Sequence, residues 1–287
     1  YTMTYYAEYG NLEEVAGIKP DNLVQADWAC SLFAVFGDPD NMLFGRNFDW
    51  NFSPGLLLFT DPGDGYASVS MVDIHYLGFG DERAYGLVDL PLDDLEDLLA
   101  APYLPCDGLN EAGLAVGFAA VPDGGMEIDP AKETIDSLLV VRKILDEAAT
   151  IEDAEQIIRA FNIDWGGGPP LHYLVADQTG RSVLIEFSRG EIVVIENQDT
   201  WQQATNFLVS EASTEPTNQC WRYGLITENL ENNAGIIDEE EAMTLLEEVA
   251  QANTQWSVVY RISAGEVRIV KGRNYPKVHH FPFQTDR

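Results

Sequence analysis

The chain has 287 residues, of which 46% are hydrophobic, enough to build a sizeable core. Its 48 acidic and 16 basic residues give a formal net charge of −32. A charge of this sign and size repels nucleic acid phosphates and anionic lipids, so we expect neither nucleic acid nor a membrane surface as a partner. No apolar run approaches the length of a membrane span, so the sequence predicts no membrane insertion.

The first 29 residues differ in pattern from the rest of the chain. Residues 1–9 favour a strand or a short helix, and the polar stretch 10–22 is interrupted by Gly17 and Pro20. We interpret residues 1–29 as a leader, or prosegment, that precedes the functional domain. An ordinary N-terminal strand and loop is the alternative.

The segment 30–50 predicts a β-hairpin that carries three reactive groups. Alternating apolar residues after Cys30 indicate a first strand, Asp38-Pro39-Asp40-Asn41 is typical of a turn, and Met42 begins a second strand. Because the strands of a hairpin run antiparallel, Arg46 and Asp49 are expected to lie level with Cys30. Cationic surroundings favour the thiolate, the nucleophilic form of cysteine. A small buried cysteine beside a solvated turn is the alternative.

The remaining pattern indicates a layered α+β fold in a single domain over residues 30–287, without repeats or a dividing linker. The first part predicts strands at 56–59 and 67–74, an acidic amphipathic helix at 90–101, a turn at 106–108, a buried strand at 114–118, and helices at 134–146 and 150–161. The second part predicts an antiparallel meander at 171–177, 182–187 and 191–196 that continues into 201–209, helices at 218–230 and 238–252, and a hairpin of 256–262 with 266–271. Thr150 and Asp153 have the spacing of a helix capping box.

Cysteine and histidine usage bounds the chemistry. The three cysteines, Cys30, Cys106 and Cys220, are too few for a disulfide framework and too scattered for a metal site. The four histidines lack metal-ligand spacing apart from His279-His280, and none is an obvious partner of Cys30. We therefore predict no metal and no cofactor. The sequence leaves open whether Cys106 and Cys220 form a disulfide. Such a disulfide would favour an extracytoplasmic location, as would a signal peptide upstream of the given sequence.

Five short motifs lie in one order along the chain: Cys30, Gly45-Arg46-Asn47-Phe48-Asp49, Asp107-Gly108-Leu109-Asn110-Glu111-Ala112-Gly113-Leu114, Thr205-Asn206 and Cys220-Trp221-Arg222-Tyr223. In this order and spacing they resemble the choloylglycine hydrolase family of linear amide C–N hydrolases. That family consists of N-terminal-nucleophile amidases and includes bile salt hydrolases and penicillin V acylases. The resemblance extends to the strand at 256–260 and implies a four-layer αββα sandwich of the α+β class.

The resemblance implies that Cys30 is the nucleophile and that cleavage of the Ala29–Cys30 bond frees its α-amino group to act as the base. An α-amine has a pKa of about 7.7–8.0, so a useful fraction is unprotonated near neutral pH. This base needs no histidine partner. By the same resemblance, Asp49 holds the amine and Arg46 favours the ionised thiol.

The resemblance places Asn110 and Asn206 in the family's oxyanion region, where an amide N–H group donates to the developing negative charge. Arg222 matches the last family position and is expected to support the site electrostatically. Two structural alternatives remain open. Asn110 would cap the turn at Gly108, and Arg222 would form an ordinary surface ion pair.

The sequence therefore predicts an amidase that cleaves the linear, non-peptide amide bond of a small N-acyl substrate through a thioester acyl-enzyme. Two alternatives stay open: an acyltransferase that passes the acyl group to an amine, and an uncleaved binding or precursor protein. The run Thr205-Asn206-Phe207-Leu208 looks closer to the acyltransferase branch of the family. The sequence leaves the oligomeric state open, with a homo-oligomer as one option because family members often form oligomers. An apolar acyl pocket is expected from Trp50 and from the apolar residues of 52–79, with core packing as the alternative. Its candidates are Trp50, Leu56, Leu57, Leu58, Phe59, Tyr66, Met71 and Tyr76.

Overall fold

The computed structural model describes residues 1–6, 29–80 and 82–283, without the side chains of residues 82 and 83. Most of the predicted leader lies outside the described residues. In chain order, the strands are β1 (Thr2–Tyr5), β2 (Ser31–Val35), β3 (Leu43–Asp49), β4 (Gly55–Thr60), β5 (Ser68–Asp73), β6 (Pro105–Asn110), β7 (Leu114–Ala120), β8 (Thr134–Asp136), β9 (Asn162–Asp164), β10 (Leu171–Asp177), β11 (Ser182–Ser188), β12 (Glu191–Glu196), β13 (Trp201–Ala204), β14 (Thr254–Arg261), β15 (Glu266–Lys271) and β16 (His279–Pro282). The α-helices are α1 (Leu139–Glu147), α2 (Ile151–Ala160), α3 (Trp221–Asn232) and α4 (Glu239–Glu248).

Two large sheets form the centre of the molecule. The first has eight strands in the order β1-β4-β5-β6-β7-β10-β11-β12, and the second has six in the order β13-β2-β3-β14-β15-β16. Helices α1 and α2 contact the first sheet, whereas α3 and α4 contact the second. The chain therefore folds as the four-layer αββα sandwich that the sequence predicted. Within the described residues, no helix combines the length and apolar character needed to cross a membrane.

Alternation along β2 explains how this strand can be buried on both faces. Leu32 and Ala34 belong to the hydrophobic cluster that extends between the sheets. Phe33 and Val35 point the other way and pack in the cluster formed with α3 and α4. Successive strand side chains point to opposite faces, so a central strand of a four-layer sandwich must be apolar on both.

Two motif glycines are required because neighbouring atoms lie too close to leave room for a Cβ. Phe33 lies opposite Gly45 in the β2–β3 pair, and a Cβ on Gly45 would come within 2.5 Å of the Phe33 ring. A Cβ on Gly108 would lie 2.7 Å from the carbonyl oxygen of Val69 and 2.8 Å from a methyl carbon of Leu145. Any larger residue at either position would force neighbouring backbone or core atoms apart.

Several predicted elements are confirmed. The β2–β3 hairpin, the β10–β11–β12 meander and the terminal β14–β15 hairpin pair antiparallel as expected. The predicted capping box is also present, because Thr150 Oγ1 accepts from the backbone of Asp153 and the Asp153 carboxylate accepts from that of Thr150.

Other elements differ from the prediction. The expected turn at 106–108 is the middle of β6, because Asp107 and Gly108 are buried between neighbouring layers. The helix predicted at 134–146 begins only at Leu139, since residues 134–136 pair with β9. The segment predicted at 90–101 forms 3-10 turns over Leu92–Tyr103. Strand β13 does not continue the meander but pairs with β2 in the other sheet.

Candidate active site

The β2–β3 pairing brings the predicted nucleophile beside its expected partners. Ser31 lies opposite Asn47, and continuing this register places Cys30 level with Phe48 and Ala29 level with Asp49. Cys30 is buried immediately before β2. The hairpin thus brings the Arg46 guanidinium to the thiol, with Asp49 at the end of β3.

Arg46 is the direct partner of the Cys30 sulfur. Its Nη2 lies 3.4 Å from Cys30 Sγ, while Nη1 donates to the carbonyl oxygen of Cys106 at 2.8 Å and to Asp107 Oδ2 at 3.0 Å. The guanidinium carbon lies 4.9 Å and 5.2 Å from the ring centres of Phe48 and Phe118. Burial alone would lower the pKa of Arg46, but the charges of Cys30 and Asp107 outweigh it and raise the pKa. The group is therefore a fixed buried cation aimed at the sulfur.

Asp49 is a fully buried carboxyl with one oxygen unused. Its Oδ1 accepts a hydrogen bond from Thr254 Oγ1, and Oδ2 has no hydrogen-bond partner among the described residues. Burial raises the pKa of Asp49 to about 7, although the Thr254 hydroxyl and the charge of Arg222 act in the opposite direction. A second hydrogen-bond donor or a cation beside Oδ2 would lower this pKa again.

Arg222, the second residue of α3, links the nucleophile to Asn206. Its Nη1 donates to the carbonyl oxygen of Cys30 and, at 2.9 Å, to Ser31 Oγ. Its Nη2 donates to Asn206 Oδ1 at 3.0 Å. Because a guanidinium can only donate, it fixes the amide so that the oxygen faces Arg222 and Nδ2 faces away. Because Arg222 is buried, it does not form the surface ion pair that was the structural alternative.

Asn206 keeps one amide hydrogen available. Its Nδ2 donates to the carbonyl oxygen of Ala120 at 2.8 Å, and among the described residues it donates no second hydrogen bond. An asparagine Nδ2 carries two hydrogens, so the second can be offered to a bound ligand. The residue is half-buried.

Asn110 has a structural place instead of the predicted position in the oxyanion region. Its Nδ2 donates to the carbonyl oxygens of Leu145 at 3.0 Å and Ala148 at 2.7 Å, and its Oδ1 accepts from the backbone N–H of Leu114. Both amide hydrogens are therefore used at the C-terminal end of α1, where helix carbonyls lack partners within the helix. The capping alternative fits this geometry, although its partners differ from the turn at Gly108.

An apolar cavity opens beside Cys30. Two of the predicted candidates, Trp50 and Tyr76, line it. The other candidates are not among its lining residues: Leu57 and Met71 line a separate cavity, Phe59 packs against the central core, and Leu56, Leu58 and Tyr66 lie elsewhere. The other aromatic and aliphatic residues of the wall are Phe48, Leu104, Phe118, Leu138, Trp165 and Leu171. These come from distant parts of the chain, so no local pattern identifies them as one surface.

Three further residues of the site were not predicted as such, although the first of them, Asp107, belongs to one of the five motifs. Asp107 accepts from Arg46, and Tyr260 Oη donates to the other carboxylate oxygen of Asp107. Burial and the neighbouring Asp107 charge raise the pKa of Tyr260 well above its usual value, which keeps the hydroxyl protonated as a donor. Thr254 Oγ1 likewise donates a hydrogen bond to Asp49 Oδ1. Thr254 and Tyr260 both lie on β14, which pairs with β3 and so brings them beside the hairpin.

All three thiols are free, and the structure contains no disulfide between Cys106 and Cys220. Cys106 is fully buried, which raises the pKa of its thiol well above the usual value and favours the inert neutral form. Within the described residues, no group of three or more histidine, cysteine, aspartate or glutamate side chains is arranged to hold a metal ion.

Comparison with solved structures relates this architecture to known enzymes. A cysteine-to-alanine mutant of the conjugated bile acid hydrolase from Clostridium perfringens is similar with a TM-score of 0.60 and 16% identity, over 88% of this chain and 92% of that one. An arginine-to-leucine variant of the same hydrolase gives a TM-score of 0.63 over the same shares. Penicillin V acylase from Agrobacterium tumefaciens gives 0.54 and 15% identity, over 88% of this chain and 86% of that one. At these identities the likeness shows the fold, which is that of the N-terminal-nucleophile hydrolases.

The family is established by the sequence itself. The profile of the linear amide C–N hydrolases, choloylglycine hydrolase family, matches residues 30–208, which is more than half of the chain. The chain belongs to this family, and the protein is accordingly a hydrolase that acts on linear amide bonds.

Proposed function

We propose that the protein is an N-terminal cysteine amidase in which Cys30 attacks the linear amide bond of an N-acyl substrate. The observation that carries the proposal is the 3.4 Å contact between Cys30 Sγ and the buried Arg46 guanidinium at the wall of an apolar cavity. A charge-assisted donor stabilises negative charge on the sulfur where a substrate carbonyl can approach it. A buried structural cysteine would need no such partner.

The base in this proposal is the α-amine of Cys30 after the Ala29–Cys30 bond has been cut. Among the described residues, the side chains that hydrogen-bond to Cys30 are Arg46 and Arg222, and neither cation can accept a proton. An amide nitrogen cannot serve either, since its lone pair is delocalised into the carbonyl. Continuing the β2–β3 register past Ser31 would bring Asp49 level with Ala29. Its Oδ2, which has no hydrogen-bond partner among the described residues, would receive an N–H of the new amine.

The proposed reaction proceeds in two steps. The α-amine takes the thiol proton while Sγ bonds to the substrate carbonyl carbon, and the C–N bond then breaks as the ammonium protonates the leaving amine. Water next adds to the thioester with the amine again as base, and the C–S bond breaks to release the acid and regenerate the thiol. In both steps the carbonyl oxygen becomes negative, and in this proposal the remaining Nδ2 hydrogen of Asn206, whose amide is oriented by Arg222 and Ala120, donates to it.

The cavity supports an apolar acyl group as the part of the substrate that enters the protein. Aromatic and aliphatic side chains dominate its lining, among them Phe48, Phe118 and Trp165. Burying an apolar group there is favourable by about 25 cal/mol per Å² of surface removed from water. The leaving amine would then lie toward solvent.

Maturation in this proposal removes the covalent link between the leader, residues 1–29, and the domain from Cys30 onward. The family match begins at Cys30, which supports this boundary. Strand β1, at the start of the leader, pairs in parallel with β4, and the Tyr1 hydroxyl donates to the carbonyl oxygen of Ala84 at 2.7 Å. These contacts do not depend on the Ala29–Cys30 bond, so they would hold the cut leader on the sheet.

The experiment is a time course of intact mass and N-terminal sequence, with amidase activity measured in parallel. Wild type should yield a chain that begins Cys30-Ser31-Leu32, and release of amine from N-acyl aminocoumarin amides should rise in step with it. The Cys30→Ala variant should do neither, and Cys106→Ala is the matched control that should behave as wild type. Full activity from a chain still continuous through Ala29–Cys30 would contradict the proposed base.

Product analysis separates hydrolysis from acyl transfer. With water as acceptor, the free acid and the amine form in equal amounts, and an added primary amine leaves that ratio unchanged. If the acyl group passes to the added amine, a new amide appears and the yield of acid falls. We expect hydrolysis, with acid and amine in equal amounts whether or not a primary amine is added.

A further inference from the structure

A buried histidine–glutamate pair lies between the two sheets, and the reaction described above does not use it. His172 on β10 and Glu186 on β11 are both fully buried, and His172 Nδ1 lies 3.4 Å from Glu186 Oε1. His172 Nε2 has no hydrogen-bond partner among the described residues. Burying two ionisable groups is costly, so their contacts indicate what they stabilise.

The register of the first sheet shows which way the pair faces. Ala119 lies opposite His172, and the β10–β11 register continues to place His172 opposite Glu186, so these residues share one face. Gly117 lies on that same face, and a Cβ there would come within 2.9 Å of Leu32 on the second sheet. The pair therefore points into the space between the sheets, toward the segment that follows β13.

Glu186 holds the backbone immediately after Asn206. Its Oε1 accepts from the backbone N–H of Val209 at 2.7 Å, and its Oε2 accepts from that of Ser210 at 2.9 Å. These amides belong to the 3-10 turn Val209–Glu211, which starts three residues beyond Asn206. Ser188, on the same strand as Glu186, donates to the Glu211 carboxylate and fastens the end of the turn.

We infer that His172 and Glu186 are positioning residues that hold the Val209–Glu211 turn and, through it, the Asn206 amide at the oxyanion site. This inference rests on the proposed function. Asn206 is fixed on its other side by Arg222 and by the carbonyl oxygen of Ala120. The carboxylate needs its charge to accept two backbone donors firmly, and the His172 ring occupies the remaining side of Oε1.

The ionisation of Glu186 is consistent with this role. Burial opposes its charge, but the hydrogen bond and charge of His172, together with the Ser210 N–H, outweigh burial and lower the pKa of Glu186. Glu186 thus stays a carboxylate, which an uncharged glutamine cannot imitate, because its Nε2 would face a backbone N–H donor.

The test is a double-mutant cycle between Glu186→Gln and Asn206→Ala, followed with N-acyl aminocoumarin amides on the mature protein. Glu186→Gln should lower kcat about tenfold with little change in KM, the size expected for a supporting residue that loosens a site. In the Asn206→Ala background the same change should lower kcat less than twofold, because there is no amide left to position. Glu196→Gln, an exposed change on the neighbouring strand, is the matched control and should leave kcat unchanged.

Losses of kcat that are equal with and without Asn206 would overturn the inference, since they would reflect general structural damage. If Glu186→Gln does not fold, His172→Gln replaces it with the same expected dependence on Asn206. Hydrogen exchange of residues 205–212 gives a readout independent of activity. Exchange should accelerate in Glu186→Gln and in His172→Gln, and unchanged exchange would overturn the inference. A wild type that hydrolyses the amides no faster than Cys30→Ala would instead count against the proposed function.

Discussion

Asp49→Asn gives the sharpest prediction, because its effect on stability should change sign when the Ala29–Cys30 bond is cut. In the continuous chain Asp49 is buried, its Oδ2 has no partner among the described residues, and burial raises its pKa from 3.8 to about 7. In the mature protein the Cys30 ammonium would lie beside it as a cation. An asparagine can still accept from the Thr254 hydroxyl but carries no charge in either state.

The magnitude follows from the pKa shift. Burial raises the pKa of Asp49 by roughly 3, and a pKa difference of 1 corresponds to about 1.36 kcal/mol. Ionised Asp49 therefore lowers the free energy of unfolding of the continuous chain by up to about 4 kcal/mol. The unfolded carboxyl loses its proton near pH 4 and the folded one near pH 7, so the folded state binds the extra proton between these values. The stability of the parent therefore falls as the pH rises through this window. The free energy of unfolding of Asp49→Asn should exceed that of the parent by up to about 4 kcal/mol above pH 7. Near pH 4 the two should be almost equal.

Urea unfolding across this pH range measures the effect, with Cys30→Ala as the background that keeps the chain continuous. The mature form is prepared by a site-specific protease whose recognition sequence replaces the residues before Cys30. There, Asp49→Asn should destabilise, because it removes the partner of the ammonium.

Asp73→Asn is the matched control for this experiment. Asp73 is also fully buried, and burial raises its pKa to about 7, but it lies on β5 and its carboxylate accepts from the backbone of His75. Its effect should be the same before and after cleavage. An Asp49→Asn effect that does not vary with pH, or that is equal in the continuous and cut chains, would refute the assignment of Asp49 to the amine.

Three further predictions follow from the same geometry. Asn206→Ala should lower kcat by about 100- to 1,000-fold with an unchanged unfolding midpoint, and a fully active but less stable variant would place Asn206 in the scaffold. A thiol-directed label should modify Cys30 ahead of Cys106 and Cys220 in the mature protein, as read by peptide mass mapping; preferential labelling of Cys106 would remove Cys30 from its role. After cleavage the leader should co-elute with the body in gel filtration because β1 stays paired with β4, and Met3→Asp should release it; a leader lost from the wild type would contradict retention.

The sequence was informative about the site where its parts are local. Cys30, Arg46 and Asp49 lie within one hairpin, and antiparallel pairing alone brings them level. Capping boxes and apolar alternation also depend on near neighbours in the chain, which explains why α2 and the β10–β11–β12 meander were predicted.

Sequence reasoning failed where the partner is distant. Asp107 looked like a turn residue because aspartate followed by glycine favours turns, yet it is buried to neutralise Arg46. Strand β13 follows the meander in sequence but completes the other sheet beside β2, a choice made by packing between layers. Asn110 lies in a motif shared with the family, and only the structure shows that α1 uses both of its amide hydrogens.

The central claim is that Cys30, with a free α-amine, carries the acyl group. The most direct measurement is rapid acid quenching during turnover of an N-acyl aminocoumarin amide, followed by mass mapping of the peptides. We expect an added mass equal to the acyl group on a peptide whose first residue is Cys30, and no such adduct in Cys30→Ala. An acyl group found on any other residue, or on a peptide that still contains the Ala29–Cys30 bond, would contradict it.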